Sequence, residues 1–166
     1  MVEKIEVFTD GSCTSTSEGI VKGGIGGYFP DFPSWNFSKR LRGKLITNQR
    51  AELRACIDAL VKIRKERKGK HFEVVLYTDS MYTLKIATEW GKLWKKAGWK
   101  RGKRKEAVSN LELVKRLVSL VDRTPAKFIH VRSHKSEPKD KASSAWKRWK
   151  GNKEADKLAT SSWKKK

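Results

Sequence analysis

The sequence predicts an α/β fold in which an antiparallel edge joins a parallel portion. Three observations predict it. The first forty residues contain strand-like segments separated by turn signals, later segments switch to helical spacing, and strands and helices then alternate to the C-terminus. The resulting order is β-β-β-α-β-α-α-β-α. Consecutive strands imply a meander, and strands separated by helices imply parallel pairing.

Lys4 to Asp10 alternates, with Ile5, Val7 and Thr9 on one side and Glu6, Phe8 and Asp10 on the other, until Gly11-Ser12 breaks the pattern. The cluster Gly23-Gly24-Ile25-Gly26-Gly27 leads through Tyr28 and Phe29 to a Pro30-Asp31 turn and reads as a second strand; Trp35 to Leu41 reads as a third. From about Asn48 to Arg64 the pattern is helical, with Leu53, Cys56, Ile57, Leu60 and Ile63 on one stripe. Lys65 to Lys70 is a basic break. Phe72 to Thr78, centred on Val74-Val75-Leu76, suits a strand buried on both faces. Met81 to Trp90 reads as a helix capped by Asp79 or Ser80. Ser109-Asn110-Leu111-Glu112 has the capping-box pattern and opens a helix through Leu113, Leu117, Leu120 and Val121, which Pro125 stops. Lys127 to Arg132 is a short strand, and the last helix is expected from Asn152 to about Ser161.

A chain of 166 residues that is 37% hydrophobic suits a single domain, residues 1–166, with one core. No apolar run approaches the roughly 18 residues of a membrane span, and Met1-Val2-Glu3-Lys4 lacks the basic-then-apolar layout of a secretory leader. A soluble protein without a membrane partner is expected, acting as a monomer. Cys13 and Cys56 form no metal or disulfide spacing, which fits a reducing intracellular compartment. Charge is more selective: 39 Lys and Arg against 18 Asp and Glu give a net +21. A basic domain of this kind meets a polyanion, nucleic acid above all.

Acids are scarce, so their positions carry information. Asp10 ends the first strand, Asp79 ends the central strand, and Glu52 and Asp156 lie in the first turns of helices. Each has a plain structural explanation: a turn for Asp10, a cap for Asp79, a helix N-terminus for Glu52 and Asp156. Together they sit where an open α/β sheet binds ligands, at the C-terminal ends of strands. Carboxylates gathered there repel one another unless a cation neutralises them, and hard oxygen ligands suit Mg²⁺ or Mn²⁺.

Five segments resemble the type I ribonuclease H family. They are Phe8-Thr9-Asp10-Gly11-Ser12-Cys13, Thr47-Asn48-Gln49-Arg50-Ala51-Glu52-Leu53, Tyr77-Thr78-Asp79-Ser80, Val131-Arg132-Ser133-His134, and Gly151-Asn152-Lys153-Glu154-Ala155-Asp156-Lys157-Leu158-Ala159. They occur in the family's order and span nearly the whole chain. The resemblance implies a mixed five-stranded sheet flanked by helices, and an endoribonuclease that cuts the RNA strand of an RNA–DNA hybrid to leave 5′-phosphate and 3′-hydroxyl ends. It makes Asp10, Glu52, Asp79 and Asp156 ligands of two Mg²⁺ ions, for which Mn²⁺ can substitute. It makes His134 an auxiliary residue for proton transfer or product release, a task that suits an imidazole.

The same resemblance has Thr47 and Asn110 hold a phosphate of the DNA strand, and Asn48 and Gln49 contact bases. The family often carries an Arg two residues before this Thr, where this chain has Leu45. Cys13, Ser15 and Gln49 are candidate neighbours of the 2′-hydroxyls that distinguish RNA. Between Lys92 and Lys105 lie eight Lys and Arg and no acid, interleaved with Trp94 and Trp99. Cations grip phosphates and aromatic faces pack on sugars or bases, so the stretch at about 90–105 resembles the family's basic protrusion. Trp94, Lys95, Lys96 and Lys100 are its candidate nucleic-acid contacts, with Trp90 and Trp99 mainly structural.

His134 and Asp156 are 22 positions apart, a longer loop than in many family members. The extra segment, about 135–151, carries Trp146, Lys147, Arg148, Trp149 and Lys150. Without a clear apolar stripe it is expected to be mobile, either gripping nucleic acid or simply solvated. Two other functions fit the same fold. A catalytically silent binding module is opposed by the intact acid quartet, and a DNA-cutting nuclease or integrase by the Thr-Asn-Gln motif and the Trp-Lys protrusion.

Overall fold

The structure, a computed structural model, describes residues 2–19 and 21–164. In chain order these form β1 (Glu3–Ser15), β2 (Val21–Tyr28), a single 3₁₀ turn (Pro33–Trp35), β3 (Phe37–Leu41), α1 (Asn48–Glu66), β4 (Phe72–Thr78) and α2 (Met81–Lys85). After a π turn (Ile86–Trp90) come α3 (Gly91–Lys96), a hairpin of β5 (Lys100–Arg101) and β6 (Glu106–Ala107), α4 (Leu111–Arg123), β7 (Ala126–His130) and α5 (Ser144–Lys164). Five strands make one sheet in the order β3-β2-β1-β4-β7. β1 to β3 pair antiparallel, whereas β1–β4 and β4–β7 are parallel. This is the mixed five-stranded sheet expected from the sequence.

The two faces of the sheet build separate cores. Ile5, Val7, Val74 and Leu76 meet the stripe of α1, in which Leu53, Cys56, Ile57, Leu60 and Ile63 are fully buried, together with Val114 and Leu117 of α4. The alternate strand positions, Phe8 and Tyr77, stack ring on ring on the other face and pack with Val131 and with Ala155 of α5. Strand alternation thus decides which helix each residue meets.

Several boundaries differ from those expected, each for a packing reason. β1 does not break at Gly11-Ser12 but stays paired to β2 as far as Ser15, opposite Val21. Gly11 marks a close approach instead of a turn: a Cβ there would strike the backbone of Ala51 and Glu52 in α1. Gly11→Ala is therefore expected to destabilise the protein by about 1–3 kcal/mol, the usual cost of overpacking. Denaturant unfolding measures this, and an unshifted midpoint would mean that α1 and β1 part freely. Gly26 plays the same part for α5, whose Ala155 carbonyl and Ala159 nitrogen lie 2.5 and 2.6 Å from a Cβ built there. Trp35 belongs to the 3₁₀ turn and not to β3.

The helix after Asp79 runs on to Lys96, because Gly91 continues it while leaving room for Val118 of α4. Ser80, not Asp79, is the cap, accepting from the Thr83 nitrogen at 3.1 Å. The capping box at 109–112 does not form. Asn110 adopts a left-handed φ of 57° and makes no cap bond. Its side chain donates to Tyr82 Oη and accepts from Arg50, which also ion-pairs with Glu112.

The largest correction concerns the last helix. It starts at Ser144, not Asn152, so about half of the expected mobile loop, residues 144–151, is its first two turns. The two indoles hold it there: Trp146 Nε1 donates to Glu137 and Trp149 Nε1 to the carbonyl of Lys135, each at 2.9 Å. Aromatic side chains of this segment fold the chain on itself and leave its cations outside.

Candidate active site

Parallel pairing places Thr9 of β1 opposite Thr78 of β4, so the next residues, Asp10 inside β1 and Asp79 just past β4, lie side by side at the same end of that pair. The close approach at Gly11 brings Glu52 of α1 over them. Asp10, Glu52 and Asp79 each present an oxygen within 4.8 Å of the other two. Asp156 arrives on α5 from the opposite face. It lies near enough to Asp10 to raise that group's pKa, and it shares a cleft of about 200 Å³ with Asp79 and His134. The structure thus brings together all four acids, the first three most tightly.

Their electrostatics are those of a site built for a cation. Burial, then the charge of Asp79, pushes the Asp10 carboxyl up to about 8. Burial and the charges of Asp10 and Asp79 raise Glu52 well above the usual carboxylate range, and burial raises Asp79. One carboxylate oxygen of Glu52 is buried with no hydrogen-bond partner among the described residues, although buried polar atoms are almost always paired. Clustered hard oxygens with an unsatisfied buried acceptor fit a divalent cation, whose charge would reverse the repulsion.

His134 is exposed, with a left-handed φ of 56°, on the rim of the cleft that holds Asp79 and Asp156. A second imidazole, not expected from the sequence, also reaches this end of the sheet. His130 Nε2 lies 3.3 Å from the carbonyl oxygen of Asp79. Only the register of β4 with β7, which pairs Thr78 with His130, reveals it.

The residues expected to read the substrate fall into two groups. Thr47 caps α1 by accepting from the Arg50 nitrogen, and Asn48 Oδ1 accepts from the Cys13 nitrogen at 2.9 Å. Arg50 in turn reaches Asn110. One hydrogen-bonded patch thus joins Cys13, Thr47, Asn48 and Asn110, with Gln49 and Ser15 exposed. Leu45 is 58% exposed, and the cation next to this patch is Arg50, partly neutralised by Glu112.

In the protrusion, Trp90, Trp94 and Trp99 all pack, half-buried, on the edge of the core, and Trp90 and Trp94 touch with centroids 5.7 Å apart. Trp94 therefore packs as the other two do, with part of its ring left exposed. Lys95 pairs with Asp122 of α4 at 3.1 Å. Lys96 and Lys100 are exposed and carry no ion pair among the described residues.

The comparisons agree with this geometry. The model of the RNase H family matches residues 2–164. Ribonuclease H1 of Homo sapiens is 35% identical over 159 residues, covering 96% of this chain and 50% of its own length. Ribonuclease H of Salmonella arizonae is 36% identical over 142 residues, 84% of each chain. The chain spans about half the length of the mammalian relatives it matches. Among solved structures, LC9-RNase H1, described as a type 1 RNase H with the type 2 active-site motif, superposes with a TM-score of 0.68 at 27% identity, over 97% of this chain and 72% of that one. The PFV RNase H domain gives a TM-score of 0.73 at 23% identity over 98% and 95%, a likeness of fold. With its five motifs in order and its acids converged at one end of a mixed sheet, this chain belongs to the RNase H family.

Proposed function

We propose that this chain is an endonuclease that hydrolyses the RNA strand of RNA–DNA hybrids, leaving 5′-phosphate and 3′-hydroxyl ends, and that it uses two Mg²⁺ ions, or Mn²⁺ in their place. The observation that carries the reading is the trio of buried Asp10 with half-buried Glu52 and Asp79, with its unpaired Glu52 oxygen, in a protein of net charge +21. A repulsive acid cluster in so basic a chain is explained by a cation and a polyanion meeting there. Asp10, Glu52, Asp79 and Asp156 would hold the ions. When bound, such ions neutralise the charge developing on a phosphoryl group and lower the pKa of a water nucleophile.

The rest of the work falls to the chain. The patch of Thr47, Asn48 and Asn110 offers small polar groups to a DNA phosphate and base edges, and Cys13, Ser15 and Gln49 face the 2′-hydroxyl side. His134, on the rim of the cleft, is placed to pass a proton to or from a leaving oxygen or to help the product depart. No helix of the described residues is long and apolar enough to cross a membrane. We infer a monomer; the exposed large apolar residues include Val21, Leu45 and Val61.

The deciding experiment compares cleavage of hybrid, duplex RNA and duplex DNA with and without Mg²⁺. Metal-dependent cutting of the RNA strand in the hybrid alone is expected; equal cutting of duplex DNA would overturn the reading.

The protrusion supplies a separate check. Replacing Lys96 and Lys100 with Ala should weaken hybrid binding and lower the slope of log affinity against log salt by about one unit per lost phosphate contact. Adding Lys95→Ala should change the slope less, because Asp122 already neutralises that ammonium. An unchanged slope in the double variant would make these lysines a solvated face.

A further inference from the structure

We propose that the start of α5 and the turn after His134 form a phosphate-binding subsite for the RNA strand, beside the catalytic cleft. The proposal rests on the hybrid-cleaving function above. A second cleft, of about 300 Å³, is lined by Arg132, Lys135, Arg148 and Trp149, together with His130 and Pro138 among others, and no carboxylate lines it. It is continuous with the cleft that holds Asp79 and Asp156, because Arg132, Lys135 and Trp149 line both. Arg132, Lys135 and Arg148 are all exposed, and none has an ion pair among the described residues. Three unneutralised cations converging on one concave surface repel one another, and an anion between them relieves that repulsion. A phosphodiester of the strand already lying across the neighbouring acids is the anion within reach.

What separates this cleft from a generally basic surface is that it is built. Trp149 makes two contacts with different parts of its ring system. Its N–H donates to the Lys135 carbonyl at 2.9 Å and fixes the turn that follows His134. Its face carries the Lys153 ammonium 4.9 Å from the ring centroid, and Lys153 lines the catalytic cleft. Trp146 ties down Glu137 in the same turn at 2.9 Å, and Glu137 does not line the cleft. Arg148 rests over Tyr77, 5.7 Å from its centroid, on the sheet itself. The Arg148 guanidinium and the backbone that carries Lys135 are therefore held before any ligand arrives, so binding has less to order.

The test measures affinity for a hybrid with one short RNA stretch, which fixes the cut position, in metal-free buffer. Single phosphates on either strand are replaced in turn by neutral methylphosphonates. Wild type should lose about threefold to fivefold per lost contact at one or two RNA positions next to the cut bond. The double variant Lys135→Ala with Arg148→Ala should bind more weakly and show no further loss at those positions. Trp149→Phe, which keeps the ring and loses the N–H, should lose part of the same position dependence. In the free protein it should also be cut faster by trypsin after Lys135, a readout independent of substrate. The subsite is overturned by a loss spread evenly over all positions, by one confined to the DNA strand, or by a double variant that keeps the wild-type pattern. It is likewise overturned if Trp149→Phe matches wild type in both trypsin sensitivity and position dependence. Failure of wild type to cut hybrid at all would instead overturn the proposed function, and the cleavage comparison detects that separately.

Discussion

Asp10→Asn, and separately Asp79→Asn, should lower hybrid cleavage by about a thousandfold or more, while metal-free hybrid affinity changes by less than about threefold. Both side chains keep their size and lose their charge, so the effect reports on charge at the centre of the acid cluster. Asp10 is 4% exposed and lies with Glu52 and Asp79 in a group spanning under 4.8 Å, so removing one charge weakens the hold on any cation there. Hybrid affinity should persist, since the proposed function assigns it to the protrusion and to the patch around Thr47 and Asn110. The measurement is single-turnover cleavage at saturating protein, with affinity determined separately. A variant that keeps a tenth of wild-type cleavage would remove Asp10 from the reaction. One that loses affinity and rate together would make the acids part of substrate docking instead.

The sheet and two of the four acids were legible because local pattern sufficed for them. Period-2 alternation in β1 and the run Val74-Val75-Leu76 placed two strands, and Asp10 and Asp79, at the ends of those patterns, placed two carboxylates. Glu52 and Asp156 needed the family motifs, since an acid in a first helical turn has an ordinary explanation. What stayed hidden depends on distant partners. Gly11 reads locally as a break, and only the crossing of α1 shows it to be a close contact within a strand. Ser109 and Glu112 form a capping box on paper, but Asn110 takes the N-cap position, Arg101 donates to Ser109 and Arg50, sixty positions from Asn110, holds Glu112. The start of α5 lacked an apolar stripe because its two indoles pack on the turn at 135–137 and not on the sheet. His130 was invisible for the same reason: its partner is a carbonyl on a neighbouring strand.

The acid cluster should also govern how the metal-free protein's stability depends on pH. Asp10 has its carboxyl pushed up to about 8 in the folded state, from an ordinary 3.8, chiefly by burial. Between those two values the folded state holds a proton that the unfolded state has released. Stability therefore falls as pH rises through this window, the reverse of a carboxylate that gains a partner on folding. From pH 5 to pH 8 the loss from this one group amounts to up to about 3 kcal/mol, and Glu52 adds to it in the same direction. Asp10→Asn removes the titrating group and relieves Glu52 of a like charge. The variant should thus match wild type near pH 5 and exceed it by a few kcal/mol near pH 8. Other groups that titrate in this range are common to both proteins and cancel in the difference. Urea unfolding in the presence of a chelator, at both pH values, gives the comparison. Adding Mg²⁺ should restore wild-type stability at pH 8 and do less for the variant, since a ligand that binds only the folded state stabilises it by mass action. Equal pH dependence in the two proteins would mean that the buried acids do not oppose folding, and the argument for a cation from their repulsion would fall with it.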